Sequence, residues 1–145
     1  MIICDTREKK NTHILAYFDR HNISYKAQKL DVGDYTLQGK NVAVERKQNL
    51  SELSRNLMNR KDHSRFYKEI RRAKEAGVKL IVLVEHGSKI KSIQDVFMWQ
   101  DKYSGVSGRQ LMDAIYKAHI SYGVEFLFCS KKSTGKRIVE ILENA

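Results

Sequence analysis

The sequence has no proline, only two cysteines, and eight glycines that are scattered rather than gathered into linkers. Without a proline, a Gly/Ser-rich stretch or a low-complexity tract, nothing marks a break between domains, so residues 1–145 are expected to form one domain. Cys4 and Cys129 each sit inside an apolar, strand-like run, which suits reduced, buried thiols better than a disulfide scaffold. No apolar run approaches the roughly 18 residues a membrane-crossing helix needs. Met1-Ile2-Ile3-Cys4-Asp5 turns acidic before the core of a secretion signal can form, so a cytosolic (or nucleoid or nuclear) location is expected, with no membrane. The five histidines lack the spacing of zinc ligands, and no zinc site is expected.

Positive charge, by contrast, is abundant. Against 17 Asp and Glu stand 27 Lys and Arg, a net charge of +10, and 41% hydrophobic residues are enough to build a core and exclude a disordered chain. Such basicity in a globular domain points to a polyanionic partner, most simply nucleic acid. The charge is also concentrated: from Arg46 to Lys79 there are eleven Lys and Arg against four Asp and Glu, a net of +7. Arg60, Lys61, Arg65, Lys68, Arg71, Arg72 and Lys74 fall there and are the candidate phosphate contacts, either gripping a backbone or simply solvating a helix face. Trp99 and Tyr103, beside Gly105 and Gly108, either stack an unpaired base or, for Trp99, pack into the core or an interface.

Hydrophobic spacing lays out the elements. Met1 to Asp5 reads as a short buried strand and Asn11 to His21 as a helix, with Ile14, Leu15 and Phe18 on one side. Ser24 to Leu30 and Val32 to Leu37 read as strands, and the polar turn at 38–41 leads into Val42-Ala43-Val44, making a hairpin into a core strand. Leu50 to Leu57 and Asp62 to Ala76 read as helices, the second with Phe66, Ile70 and Ala73 inward. The unbroken Leu80-Ile81-Val82-Leu83-Val84 within Lys79 to Glu85 predicts a central strand. Ser107 and Gln110 form a capping box for a helix to Ser121, Val124 to Cys129 is a further strand, and Lys132 to Glu143 a last amphipathic helix. Helices alternating with buried strands imply an α/β sandwich around a mixed sheet.

The chemistry concentrates in Val32-Gly33-Asp34-Tyr35 and Val42-Ala43-Val44-Glu45-Arg46-Lys47. On a strand Glu45 and Lys47 share a face and Arg46 faces the other. If the two arms pair, Asp34 and Glu45 come close enough to share a divalent cation, with Lys47 beside them. Phosphodiester hydrolysis uses such a set: hard oxygen ligands hold Mg²⁺ or Mn²⁺, and a lysine orients or deprotonates the attacking water, helped by any depression of its pKa in a cationic site. The bland alternative is a surface Glu-x-Lys pair on an edge strand.

Three motifs make the sequence resemble the nuclease domain of XPF-type (XPF/Mus/Hef-like) structure-specific endonucleases, a branch of the PD-(D/E)XK superfamily. These are Asp5-Thr6-Arg7-Glu8, Gly33-Asp34-Tyr35 and Glu45-Arg46-Lys47, in that order, over nearly the whole chain. The resemblance implies a restriction-endonuclease-like, three-layer α/β/α sandwich with a central mixed sheet. It also implies an Mg²⁺-dependent endonuclease, with Mn²⁺ substituting, that cuts branched, flap or forked DNA in repair or recombination and leaves a 5′-phosphate and a 3′-hydroxyl. It makes Asp34 and Glu45 metal ligands, with Asp5 as a further one or else the cap of the following turn, and Lys47 the catalytic lysine. Glu8, Arg7 and Arg46 then support the site, the arginines either holding the acidic cluster or contacting the scissile phosphate. The family's acidic residue four positions beyond the lysine is replaced by Ser51, with Glu52 next. No tandem helix-hairpin-helix domain is expected within residues 1–145. A homodimer through the helices at 107–121 and 132–143, and a partner supplying DNA binding, are expected instead. The competing expectations are a non-catalytic scaffolding subunit of a heterodimeric nuclease and a basic RNA-binding domain.

Overall fold

The computed structural model describes all of residues 1–145. Its elements run β1 (Ile2–Cys4), α1 (Thr12–Arg20), β2 (Tyr25–Ala27), β3 (Tyr35–Leu37), β4 (Val42–Lys47), α2 (Leu50–Met58), α3 (Arg60–Glu75), β5 (Lys79–Glu85), α4 (Gly108–Tyr122), β6 (Glu125–Cys129) and α5 (Thr134–Glu143). The strands form one mixed sheet in the order β2-β1-β3-β4-β5-β6. The hairpin is present, with β3 antiparallel to both β1 and β4, while β4, β5 and β6 run parallel. β5 lies inside the sheet, as its unbroken apolar run requires.

Alternation along β4 and β5 divides the core into two layers. Ala43, Leu80, Val82 and Val84 pack with α2, α3 and α4 through Leu53, Phe66, Ile70, Leu111 and Ile115. Val42, Val44, Ile81 and Leu83 pack on the opposite face with α1 and α5 through Ile14, Phe18, Ile138 and Leu142. The result is the three-layer α/β/α sandwich. Leu111, Ile115, Ala118, Ile138 and Leu142 are fully buried in the single chain, so these apolar residues of α4 and α5 belong to the core. No helix is long and apolar enough to cross a membrane.

Several boundaries differ from those the sequence pattern predicts, each for a local reason. The run 24–30 forms only three residues of strand, because Gln28 N–H still donates to Cys4 but Leu30 N–H turns to the Asp5 carboxylate. The strand expected from Val32 begins only at Tyr35, since Gly33 takes φ +75° and breaks the extended chain. α3 starts at Arg60, two residues early, because the Asn59 side chain caps the amides of Lys61 and Asp62. Residues 93–98 form a 3-10 turn closed by a Ser92/Asp95 capping box. The Ser107/Gln110 capping box is formed, with both reciprocal bonds.

Candidate active site

β4 is where the sheet delivers its chemistry. It is an interior strand with both neighbours in place, so Glu45 and Lys47 are not a surface pair: their side chains are 12% and 8% exposed, and Lys47 Nζ lies 3.4 Å from Glu45 Oε1. The Lys47 ammonium also sits 5.2 Å from the centre of the Phe66 ring. Both side chains face α2 and α3, as strand alternation predicts.

Gly33 brings Asp34 to them. A Cβ on Gly33 would fall 2.8 Å from the Ala43 Cβ, so only glycine lets this turn lie flat against β4. Asp34 N–H then donates to Val44 O at 2.8 Å, and Arg46 N–H donates to Asp34 Oδ2 at 2.8 Å. The Asp34 carboxyl is pushed up to about 7, chiefly by burial and then by the Glu8 charge, against the pull of the Arg46 amide and Lys47. Glu45 is raised well above the usual carboxylate range by burial and by Asp34.

A residue outside the three motifs completes the pocket. Glu69, on α3, accepts from Gly33 N–H at 3.3 Å and lines the same cleft as Glu45, near enough to help raise the Glu45 carboxyl. Its signal in the sequence is modest: it is the one acidic residue between Asp62 and Glu75. Glu45, Lys47, Asn56, Asp62, Arg65 and Glu69 line a cleft of about 250 Å³. The molecule has just two buried side-chain oxygens or nitrogens without a hydrogen-bond partner, Glu45 Oε2 and Asn56 Oδ1, and both belong to residues lining this cleft. A buried carboxylate oxygen without a donor is costly, and a cation satisfies it. Asp34 and Glu45 are hard oxygen donors that suit Mg²⁺ or Mn²⁺, and Mg²⁺ characteristically needs only one or two carboxylates and keeps water on its other positions. The residues present therefore fit a divalent cation.

Burial alone would lower the Lys47 pKa, but the charges of Glu45, Glu52, Asp34 and Glu69 outweigh it and raise it. In the metal-free site, then, Lys47 is held as an ammonium rather than depressed toward a base.

The remaining expected residues lie around the cleft rather than in it. Arg46 faces the other side of the sheet, 1% exposed, with Nε 2.7 Å from Glu8 Oε2, Nη2 2.6 Å from Lys9 O and Nη1 3.4 Å from Glu85 Oε1. It therefore tethers the 8–10 segment to β4 and is not placed to touch a scissile phosphate. Glu8 also accepts from the Tyr35 hydroxyl at 2.8 Å, so its role is to hold Tyr35 and Arg46. Asp5 accepts from Arg7 Nε at 3.0 Å and from Leu30 N–H at 2.9 Å, and no three acidic side chains converge into one ligand cluster. Asp5 and Arg7 thereby clamp the end of β1 to Leu30. Ser51 Oγ lies 3.4 Å from Asp101, and Glu52 caps the Gln48 amide at the start of α2 while its charge supports Lys47. Trp99 packs against the core, leaving Tyr103, 91% exposed, without an aromatic partner.

Of the candidate phosphate contacts, Arg65 and Arg72 line the carboxylate cleft, Lys61 and Lys68 stand on the outer face of α3, and Arg60 and Arg71 line a second cleft.

The fold is thus a three-layer α/β/α sandwich that sets a buried Glu-Arg-Lys strand beside a Gly-Asp-Tyr turn. The chain belongs to the ERCC4 domain family, whose sequence pattern matches residues 4–141. Its fold is similar to that of XPF from Aeropyrum pernix, with a TM-score of 0.74 at 20% identity over 100% of this chain and 66% of that one. A second structure, XPF from Aeropyrum pernix in complex with DNA, gives a TM-score of 0.73 at 20% identity over 99% of this chain. The chain thus spans 66% and 63% of the lengths of these two relatives. Comparison with curated proteins gives no match.

Proposed function

We propose that this protein is a divalent-metal-dependent endonuclease that hydrolyses DNA phosphodiester bonds at branched, flap or forked structures, in repair or recombination. The observation that carries the reading is the carboxylate cleft: both orphaned buried oxygens of the molecule belong to it, beside a buried lysine and two arginines. Asp34 and Glu45 would hold Mg²⁺, or Mn²⁺ in its place. When bound, the cation supplies charge neutralisation at the phosphoryl oxygens and lowers the pKa of a water ligand. Lys47, kept protonated by its neighbours, donates to the phosphate or to the attacking water and orients it. Glu69 fixes Glu45, and Arg65 and Arg72 at the rim engage the phosphates on either side of the cut. A homodimer and a separate DNA-binding partner belong to the same reading, as the family resemblance implies.

The test is cleavage of labelled single-stranded, duplex, 3′-flap, forked and four-way-junction DNA with Mg²⁺, Mn²⁺ or EDTA, by the wild type and by Glu45→Gln. Metal-dependent cutting at branch points is expected, leaving 5′-phosphates, lost in Glu45→Gln while binding persists. Undiminished turnover in that variant would refute the site. Tight binding without cutting under any metal would favour the scaffolding-subunit alternative.

A further inference from the structure

We propose that a second cleft, on the side of α3 away from the carboxylates, holds an unpaired nucleotide by stacking its base on Tyr122, which Tyr67 backs edge to face, with Arg60 and Arg71 at its phosphates. The proposal rests on the DNA-cleaving reading and extends it to the single-stranded part of the substrate.

This cleft, of about 460 Å³, is lined by Arg60, His63, Ser64, Tyr67, Arg71 and Tyr122, with no acidic side chain among them. Its rings form a run. His63 and Tyr67 lie 4.2 Å apart between centroids, and Tyr67 and Tyr122 meet at 4.7 Å with a 62° tilt. The run ends in the open, since Tyr122 closes α4 and is 40% exposed. A T-shaped aromatic pair whose outer ring is partly exposed, in a cleft lined by two arginines, suits a sequence-tolerant base platform: every base has a π-face, and arginine adds cation–π attraction. The Trp99–Tyr103 loop lacks such a pair, because the half-buried Trp99 packs against the core.

Position on the helix ties this cleft to the first. At 3.6 residues per turn, Glu69 and Tyr67 project about 200° apart on α3, so the two clefts flank the helix on opposite sides. The surface between them is the basic one, with Lys61 and Lys68 on it and Arg65 and Arg72 at its inner rim. A strand leaving the carboxylate cleft can therefore cross the outside of α3 within reach of a cation throughout. The crossing is about 10–12 Å wide, a span of only a few nucleotides.

The test places 2-aminopurine at successive positions in the single-stranded arm of a forked DNA and reads its fluorescence, with affinity from anisotropy, on wild-type protein in EDTA so that nothing is cut. A stacking-type quench at one or two arm positions is expected, with none in the duplex. Tyr122→Ala and Tyr67→Ala should remove it and weaken fork binding roughly five- to a hundredfold, while Tyr67→Phe, which keeps the ring, retains both. Because Tyr122 is at the surface, Tyr122→Ala is the decisive variant, with its fold checked by thermal melting. A quench unaltered by Tyr122→Ala overturns the proposal. Cutting or binding of branched DNA without any quench overturns it while leaving the nuclease reading intact, and failure to bind any DNA removes both. Self-association that Tyr122→Ala abolishes, with the quench unchanged, gives the cleft to a second copy of the chain and overturns base binding.

Discussion

Gly33 does two things that no other residue could do together: it holds φ +75°, and it leaves room for Ala43 Cβ where its own Cβ would come within 2.8 Å. Gly33→Ala combines a left-handed alanine with overpacking against β4, so a destabilisation of about 2–4 kcal/mol in urea unfolding is expected. Activity should fall as well, because Asp34 is aimed by the bonds this turn makes. The Asp34 carboxyl also bears on stability. It ionises near 7 when folded against 3.8 ordinarily, so between about pH 4 and pH 7 the folded state holds more protons than the unfolded one. Stability of the metal-free protein should therefore drop as pH rises through that window, and Mg²⁺ should restore it at neutral pH by taking the place of the proton. Thermal melts across pH with and without Mg²⁺ check this; melts that rise with pH and ignore the metal would contradict it. The pair Asp34 and Glu45 is legible in the sequence because motif and alternation both point to it. Glu69 is not, because its helix reads by apolar period and basic flank, and neither pattern gives weight to a single acid between Phe66 and Ile70.

At the scale of the element, α3 carries the site's wall, its rim and the basic ridge leading away from it. The double substitution Arg71→Ala with Arg72→Ala removes one cation from each cleft, and the slope of log affinity against log salt should flatten by up to about 2, near 0.9 for each phosphate left without its arginine. An unchanged slope would take these residues out of the DNA footprint. Helices are the most legible elements, since caps and apolar period are local: the spacing ends α2 at Leu57, and the helix ends at Met58. The short strands are less so. β2 and β3 are three residues each, and their pairing with β1 joins positions 23 to 35 residues apart, which no local pattern encodes. Arg46 shows the same limit at a single position: alternation correctly turns it away from Glu45, but only the folded chain supplies Glu8, Glu85 and the Lys9 carbonyl that explain why it is buried.

Across the whole molecule, the two apolar layers share one sheet, and a buried polar knot ties the α1/α5 layer to it. Glu85, at the end of β5, accepts from Arg46 of β4, from the Thr134 hydroxyl at 2.6 Å, and pairs with His13 at 2.7 Å, joining α1 and α5 to the strand that bears the site. Neither layer can melt without exposing the other through β4 and β5, so a single cooperative transition is expected. Fluorescence of Trp99, which packs in the α2–α4 layer, and far-UV circular dichroism should give coincident urea curves; two separated transitions would show that the layers unfold independently.

The β3–β4 hairpin also has a practical side. Between its tip and the carboxylates lie the Tyr35–Val44 and Thr36–Ala43 pairs and the Thr36 hydroxyl bond to Val42 O at 2.6 Å, so the spacing of Asp34 and Glu45 is ruled by paired backbone and not by the length of the turn. Gly39, at that tip, has nothing within 4 Å of where a side chain would begin. Lengthening the loop there fourfold costs only about 1 kcal/mol in closure entropy. The tip is thus the natural port for an engineer: a reporter, an affinity handle or a tethering sequence can be spliced in at Gly39 while the cutting geometry stays in register.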